Sequence, residues 1–184
     1  MVFGKQVLRI GVAAALACAI AAPAEARRAQ AKPPANPRSG IEFLMRSAQG
    51  NVGVIRLGEL AQKKGQSEGL RSFGEQLVAD YGEANKRLAE IGGNLKFGLP
   101  REPGPRYQAQ YARVSAFSGP AFDRQFLNSI LQSQTRTIVD YERATGRKGD
   151  AADYAKDMLP VLQKHLRSAE RLMRTLRWTG EPRK

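Results

Sequence analysis

Apolar residues recur at three- and four-residue steps along most of this chain, and glycine or proline bounds each such run. The clearest run is Leu70 to Ile91. Leu70, Phe73, Leu77, Tyr81, Ala84, Leu88 and Ile91 fall there on one side of a helix. Ser67 is placed to cap it, Glu68 favours its first turn, and Gly92-Gly93 is the expected end. Ahead of it, Ile41 to Lys64 carries two apolar strips. One holds Phe43, Gly50, Val54, Leu57 and Ala61, the other Ile41, Leu44, Ala48, Val52 and Ile55. Gly50, Gly53 and Gly58 weaken this helix by about 1 kcal/mol each relative to alanine, so a close neighbour or a bend is expected. Gly65 stops it. The short link from Gly65 to Ser67 predicts that the first two helices lie antiparallel. On the outer face, Glu83 and Arg87 have the spacing of an i,i+4 ion pair.

Beyond Gly93 the pattern breaks. Pro100, Pro103 and Pro105 make Asn94 to Pro105 an extended crossover loop. Arg106 to Phe117 then reads as a short helix with Tyr107, Tyr111, Val114 and Phe117 along one side. Pro120 opens a third long helix to Thr145, with Phe122, Phe126, Ile130, Gln134, Ile138 and Tyr141 in line and Gly146 closing it. Asp150 caps the last, Ala151 to about Trp178. Its stripe is Leu159, Leu162, Leu166, Ala169, Met173 and Leu176, and Pro160 inside it predicts a kink. There is no strand pattern, no nucleotide-binding glycine loop and no internal repeat. The prediction is an all-α four-helix bundle over residues 40–178, two antiparallel hairpins joined by a long crossover with one short extra helix.

The N-terminal segment stands outside that pattern. Lys5 and Arg9 precede an apolar run from Ile10 to Ala22, and Ala22-Pro23-Ala24 and Ala24-Glu25-Ala26 are small-x-small cleavage sites. Residues 1–26 therefore read as an export signal, and an uncleaved anchor is the alternative. The only cysteine, Cys18, lies inside the run, as an apolar filler lost on cleavage or, alternatively, as a lipidation site. A mature chain without cysteine reaches an oxidising compartment with no disulfide, so packing must supply its stability. Residues 27–39 carry Pro33, Pro34 and Pro37 among basic residues and read as a disordered tether; residues 179–184 read as a basic tail.

The formal charge of the 184-residue chain is +13. Removing Lys5, Arg9 and Glu25 with the signal lowers it by one, to +12. Such a charge favours anionic partners, or else serves solubility. No second apolar run is long enough to cross a membrane.

Several segments resemble the exported bacterial domain-of-unknown-function family numbered 4142, whose members look ferritin-like. They are Leu57-Gly58-Glu59-Leu60-Ala61, Leu77-Val78-Ala79-Asp80 with Asn85 and Leu88, Gly119-Pro120-Ala121-Phe122-Asp123-Arg124, and Leu159-Pro160-Val161-Leu162 followed by His165-Leu166. They span Ile41 to Arg174, and their order and spacing carry the likeness. The resemblance implies a ferritin-like bundle in the periplasm or at the envelope and no established reaction. It also exposes departures. Family members carry a glutamate on the first helix where this chain has Val54, a histidine where it has Tyr81, and an Asp-His pair where it has Ser133-Gln134. Of the inward-facing set that the resemblance implies, Glu142 and His165 remain.

A carboxylate-bridged metal pair in a bundle draws on Glu-x-x-His motifs, and none occurs here; His165 is the only histidine. Valine cannot ligate and a glutamine carbonyl is a weak transition-metal ligand. The expectation is that no metal or other cofactor is bound, and that Tyr81, Gln134, His165 and Glu142 form a neutral hydrogen-bonded cluster or leave residual ligand positions. No serine or cysteine nucleophile has a base and an orienter in view, so no catalytic set is assigned and no enzyme is expected. On the last helix Lys164, Arg167, Arg171 and Arg174 step along the side opposite the apolar stripe, as a contact strip for an anionic surface or as an ordinary solvated face. Nucleic acid is disfavoured by export and by the lack of interleaved aromatics. The function expected is a non-catalytic binding or structural module of the envelope, with a degenerate ferritin-like site. The alternatives are a periplasmic metal-binding protein and a basic adaptor for an anionic envelope component. A protein partner and a homo-oligomer both stay open.

Overall fold

The structure is a computed structural model that describes residues 37–179, and side chains from 39 to 176. The expected export signal with Cys18, the expected tether up to residue 36, the side chains from residue 177 and the expected tail from residue 180 lie outside the described residues. Five helices follow in order: α1 (Pro37–Lys64), α2 (Glu68–Leu95), α3 (Pro105–Ser115), α4 (Gly119–Thr145) and α5 (Asp150–Thr179). Among the described residues there is no strand. α1 lies along α2 and α4 along α5, and the crossover between the hairpins carries α3. This is a four-helix bundle with a long crossover and one short extra helix.

The hairpin α1–α2 closes where two glycines meet. A Cβ on Gly58 would stand 2.7 Å from the Gly74 carbonyl oxygen, and one on Gly74 would stand 2.6 Å from that of Gly58. No side chain fits there, so the two backbones touch. Gly53 does the same for α3: a Cβ there would lie 2.5 Å from Cβ of Tyr107. The glycines that cost α1 helix propensity are therefore docking points for its neighbours.

The helix ends carry specific bonds. The Ser67 hydroxyl accepts the Leu70 amide at 3.1 Å, as its capping role requires. In the same link the Gln66 amide donates to both oxygens of the buried Asp123 carboxylate, at 3.1 and 3.3 Å. Lys64 Nζ donates to the Ser115 and Phe117 carbonyls at 2.7 and 3.1 Å, which ties the far end of α3 to the tip of α1. Burial raises the Asp123 carboxyl above its ordinary value, against the Gln66 amide and Arg71, which act to lower it.

Several boundaries and faces, and one ion pair, differ from the sequence reading. α1 begins at Pro37, inside the expected tether, because proline suits a first helical turn. α2 runs past Gly92-Gly93 to Leu95. Lys96, with φ of 56°, takes the left-handed position, and the Phe97 amide returns to the Gly92 carbonyl at 2.9 Å. On α3, Tyr111 is 37% exposed, and Gln110 instead turns inward and donates to Ser129 Oγ at 2.8 Å. On α5 the fully buried face runs through Tyr154, Ala155, Leu162, His165 and Ala169, displaced from the leucine stripe. Glu83 pairs with Lys86 at 3.0 Å, not with Arg87, whose partner is Asp157 on α5. α5 remains helical through Pro160.

Candidate functional site

The bundle interior changes character along its length. Near the α1–α2 link it is apolar: Leu57, Leu70, Phe73, Leu77, Phe122 and Phe126 close on one another. Toward the α4–α5 link it fills with polar side chains, and Tyr81, Gln134 and His165 of the expected set lie there. Tyr81 of α2 is 3% exposed and Gln134 of α4 is 2% exposed. Gln134 Nε2 donates to the Tyr81 hydroxyl at 2.7 Å. Burial raises the Tyr81 phenol far above its ordinary value of 10, so it stays protonated and neutral.

His165 of α5 stands next to it, ring centroids 5.3 Å apart, with Phe73 edge-on at 6.3 Å. The imidazole is fully buried. Its Nε2 lies 2.8 Å from Asp80 Oδ2, a carboxylate that also reaches Lys164 Nζ at 3.4 Å. Nδ1 is buried without a hydrogen-bond partner. A proton on Nε2 alone meets both conditions, since it serves the carboxylate and leaves no buried N–H unpaired; this tautomer is assigned from the bonding pattern. Burial lowers the His165 pKa below 6.5, while the Asp80 hydrogen bond and charge oppose that shift.

A second layer continues toward the α4–α5 link. Asn51 of α1 donates to Asn85 Oδ1 and to the Tyr154 hydroxyl, both at 3.0 Å. Tyr141 stacks edge-on against Phe43 at 4.9 Å and bonds Ser47. Burial raises the phenols of Tyr141 and Tyr154 as well. Sequence reasoning missed Asn51, Tyr154 and the role of Asp80. Tyr154 had a legible signal: it stands eleven residues, or three helical turns, before His165 on the same face. Asn51 had none, because a lone polar residue among glycines reads as a solvated position.

Glu142 does not join this cluster. It follows the buried Tyr141 by one residue, a turn of about 100° around α4, and is exposed. Lys164, Arg167, Arg171 and Arg174 are all exposed along α5, which a contact strip and an ordinary solvated face share. Arg171 donates to Ser168 Oγ at 2.9 Å.

A cleft of about 480 Å³ opens between α1, α3 and α4 and reaches this layer. Ser47, Asn51, Tyr81, Gln134 and Tyr141 line it, and so do Val54 and Ser133. The positions at which the resemblance expects ionisable side chains (Val54, Tyr81, Ser133 and Gln134) thus border one space. As a metal site they do not fit. Tyr81 holds its proton, Gln134 is bonded to it, and His165 Nε2 is committed to Asp80. Among the described residues, no three of histidine, cysteine, aspartate and glutamate stand close enough together to hold a metal ion.

The family model described as "Domain of unknown function (DUF4142)" matches residues 24–172. The chain belongs to that family. A comparison with curated proteins finds no match. Among solved structures, the chain is similar to a DUF305 fragment from Deinococcus radiodurans, with a TM-score of 0.67 and 15% identity. That match covers 77% of this chain and 98% of the fragment, and at that identity it speaks for the helical fold alone. Among the described residues, no helix is long and apolar enough to cross a membrane.

Proposed function

We propose that this protein is an exported, non-catalytic binding or structural module of the cell envelope, whose bundle keeps the position of a ferritin-like metal site in degenerate form. One observation carries the reading: Gln134 donates to a neutral Tyr81 at 2.7 Å in the bundle interior, while His165 Nε2 is spent on Asp80. A ligand set needs deprotonated or lone-pair donors aimed at one point, and this arrangement offers a proton-bearing phenol and a bonded amide instead. Metal content tests it. The chain from Arg27 onward, purified from the periplasm without a histidine tag, is expected to hold no stoichiometric iron, manganese or zinc. His165→Ala is expected to change stability only. Near-stoichiometric metal that disappears in His165→Ala overturns the reading and returns the protein to the metal-binding alternative.

A second reading has its own support. Arg167 and Arg174 are exposed and meet no carboxylate within 4.0 Å among the described residues, so the α5 strip keeps charge available for an anionic envelope surface. Binding to phosphatidylglycerol vesicles that falls with added salt and in Arg167→Glu/Arg174→Glu is the expected result of that reading. Vesicle binding unchanged by the pair removes it.

A further inference from the structure

The cleft above the Tyr81–Gln134 pair has a charged mouth and a neutral floor. Arg46 of α1, Arg106 of α3 and Arg143 and Arg147 of α4 and its C-terminal link line the mouth. Asp140 is the single carboxylate among the described residues lining it. Two of the four arginines touch acids only loosely: Arg143 approaches Asp140 at 3.5 Å and Arg46 approaches Glu42 at 3.9 Å. Both pairs are exposed and worth little, so neither acid holds its arginine against a better partner. Arg147 is oriented by Ser39, donating to its carbonyl at 3.2 Å and its hydroxyl at 3.1 Å. Arg106 meets no carboxylate within 4.0 Å among the described residues and lies 6.0 Å from the Tyr107 ring centroid. It sits in the first turn of α3, whose positive end also faces the cleft.

The floor carries no charge to answer them. Ser47, Asn51, Tyr81, Gln134 and Tyr141 offer hydroxyls and amides, and the buried phenols are held protonated. Phe43, Tyr107 and Tyr141 supply aromatic wall. The volume is that of a small-molecule site, closed at its inner end by the packed bundle. Guanidinium forks match carboxylate and phosphate oxygens in two-point geometry.

We infer that this cleft binds a small organic anion, its carboxylate or phosphate held by Arg46, Arg106, Arg143 and Arg147 and its uncharged, ring-sized body against the Tyr81–Gln134 floor. A charge at the inner end is excluded, because it would be buried without a counter-charge. The net positive charge of the whole chain attracts any anion; the cleft adds a saturable site of fixed stoichiometry. The inference deepens the binding role proposed above and rests on it.

The test is calorimetric titration of the untagged mature protein at physiological ionic strength with phenyl phosphate and with benzoate. Inorganic phosphate serves as the headless control and phosphatidylglycerol vesicles as the lipid arm. Saturable binding of one ring-bearing anion per chain is expected, tighter than that of inorganic phosphate. Arg106→Glu/Arg143→Glu is expected to weaken it about tenfold or more, while Arg167→Glu/Arg174→Glu, an equal change of net charge on α5, leaves it intact. Thr137→Phe, which fills the cleft and keeps all four arginines, is expected to abolish it. Equal loss in the two arginine pairs, retention in Thr137→Phe, vesicle binding without small-anion binding, or no saturable binding of either ring-bearing probe each overturns the inference. Circular dichroism of every variant confirms that it is folded before it is titrated. The metal count is a separate reading: a metal-free protein that binds no anion sinks this inference alone, whereas stoichiometric metal sinks the proposed function beneath it.

Discussion

The same four long helices build both halves of the bundle interior, and the halves hold together in different ways. Near the α1–α2 link, Leu57 and Leu77 face Phe73, Phe122 and Phe126, and apolar area removed from water does the stabilising. Toward the α4–α5 link, Tyr81, Gln134, Asn51, Asn85 and Tyr154 must each satisfy a donor or acceptor with a neighbour. An apolar interior closes wherever shapes fit. A bonded polar layer closes only where partners align, and beside this one a cleft stays open. The difference explains why the candidate site occupies one half and the tight Gly58–Gly74 contact the other.

Removing bulk from the apolar half breaks the comparison hardest. Phe126→Ala is expected to cost about 3–5 kcal/mol by chemical denaturation, because its ring is fully buried between Phe73 and Phe122. Adding bulk where the hairpin backbones meet comes next. Gly58→Ala is expected to cost about 1–3 kcal/mol, since the new methyl meets a carbonyl oxygen and not a movable side chain. A cost below that of an ordinary exposed substitution would show that α1 and α2 can separate freely.

The polar half is sharpened by a pair of changes. Tyr81→Phe alone is expected to cost about 1–3 kcal/mol by leaving the Gln134 amide without its acceptor. Tyr81→Phe with Gln134→Leu should cost less than the sum of the two single changes, because no orphaned donor is left behind. Strict additivity would mean that the hydrogen bond contributes nothing.

Acid should act on this half through His165. The groups facing it are Asp80 and Tyr81 of α2 and, through Asp80, Lys164 of its own helix. Its folded pKa lies below 6.5, so the unfolded chain takes up the proton first. Stability is therefore unaffected above that pH and falls as pH drops below it, by at most about 1.4 kcal/mol per pH unit, until the folded pKa is reached. His165→Gln, which keeps a donor for Asp80, should remove that component. The difference between wild type and variant, measured from pH 7 to pH 5, checks the sign. Smallest of all, Glu142→Gln should change stability by about 0.5 kcal/mol or less, as an exposed substitution does.

Much of this molecule is legible in its amino-acid order. Three- and four-residue spacing places all five helices, Ser67 announces its cap, and the short Gly65–Ser67 link implies an antiparallel hairpin. Tyr81, Gln134 and His165 stand out as polar or titratable residues on apolar faces, and they do converge. The misses share a cause. Likeness places Glu142 inward, yet one residue of rotation turns it outward. Spacing along one helix pairs Glu83 with Arg87, while Arg87 finds Asp157 across the bundle. Asn51 and Tyr154 carry weak or no local marks because their partners lie more than thirty residues away.

What the chain determined by itself is whatever depends on near neighbours: helix periodicity, caps, breaks and charge. Those follow from local backbone geometry and composition, which a sequence states directly. Only the tertiary structure decided which polar residues meet, that His165 bonds Asp80 and not a carboxylate of α4, and that four arginines from three segments surround one cleft. Those outcomes depend on how helices rotate and approach one another. That rotation is set by close contacts such as Gly58 against Gly74, whose partners are far apart in the chain.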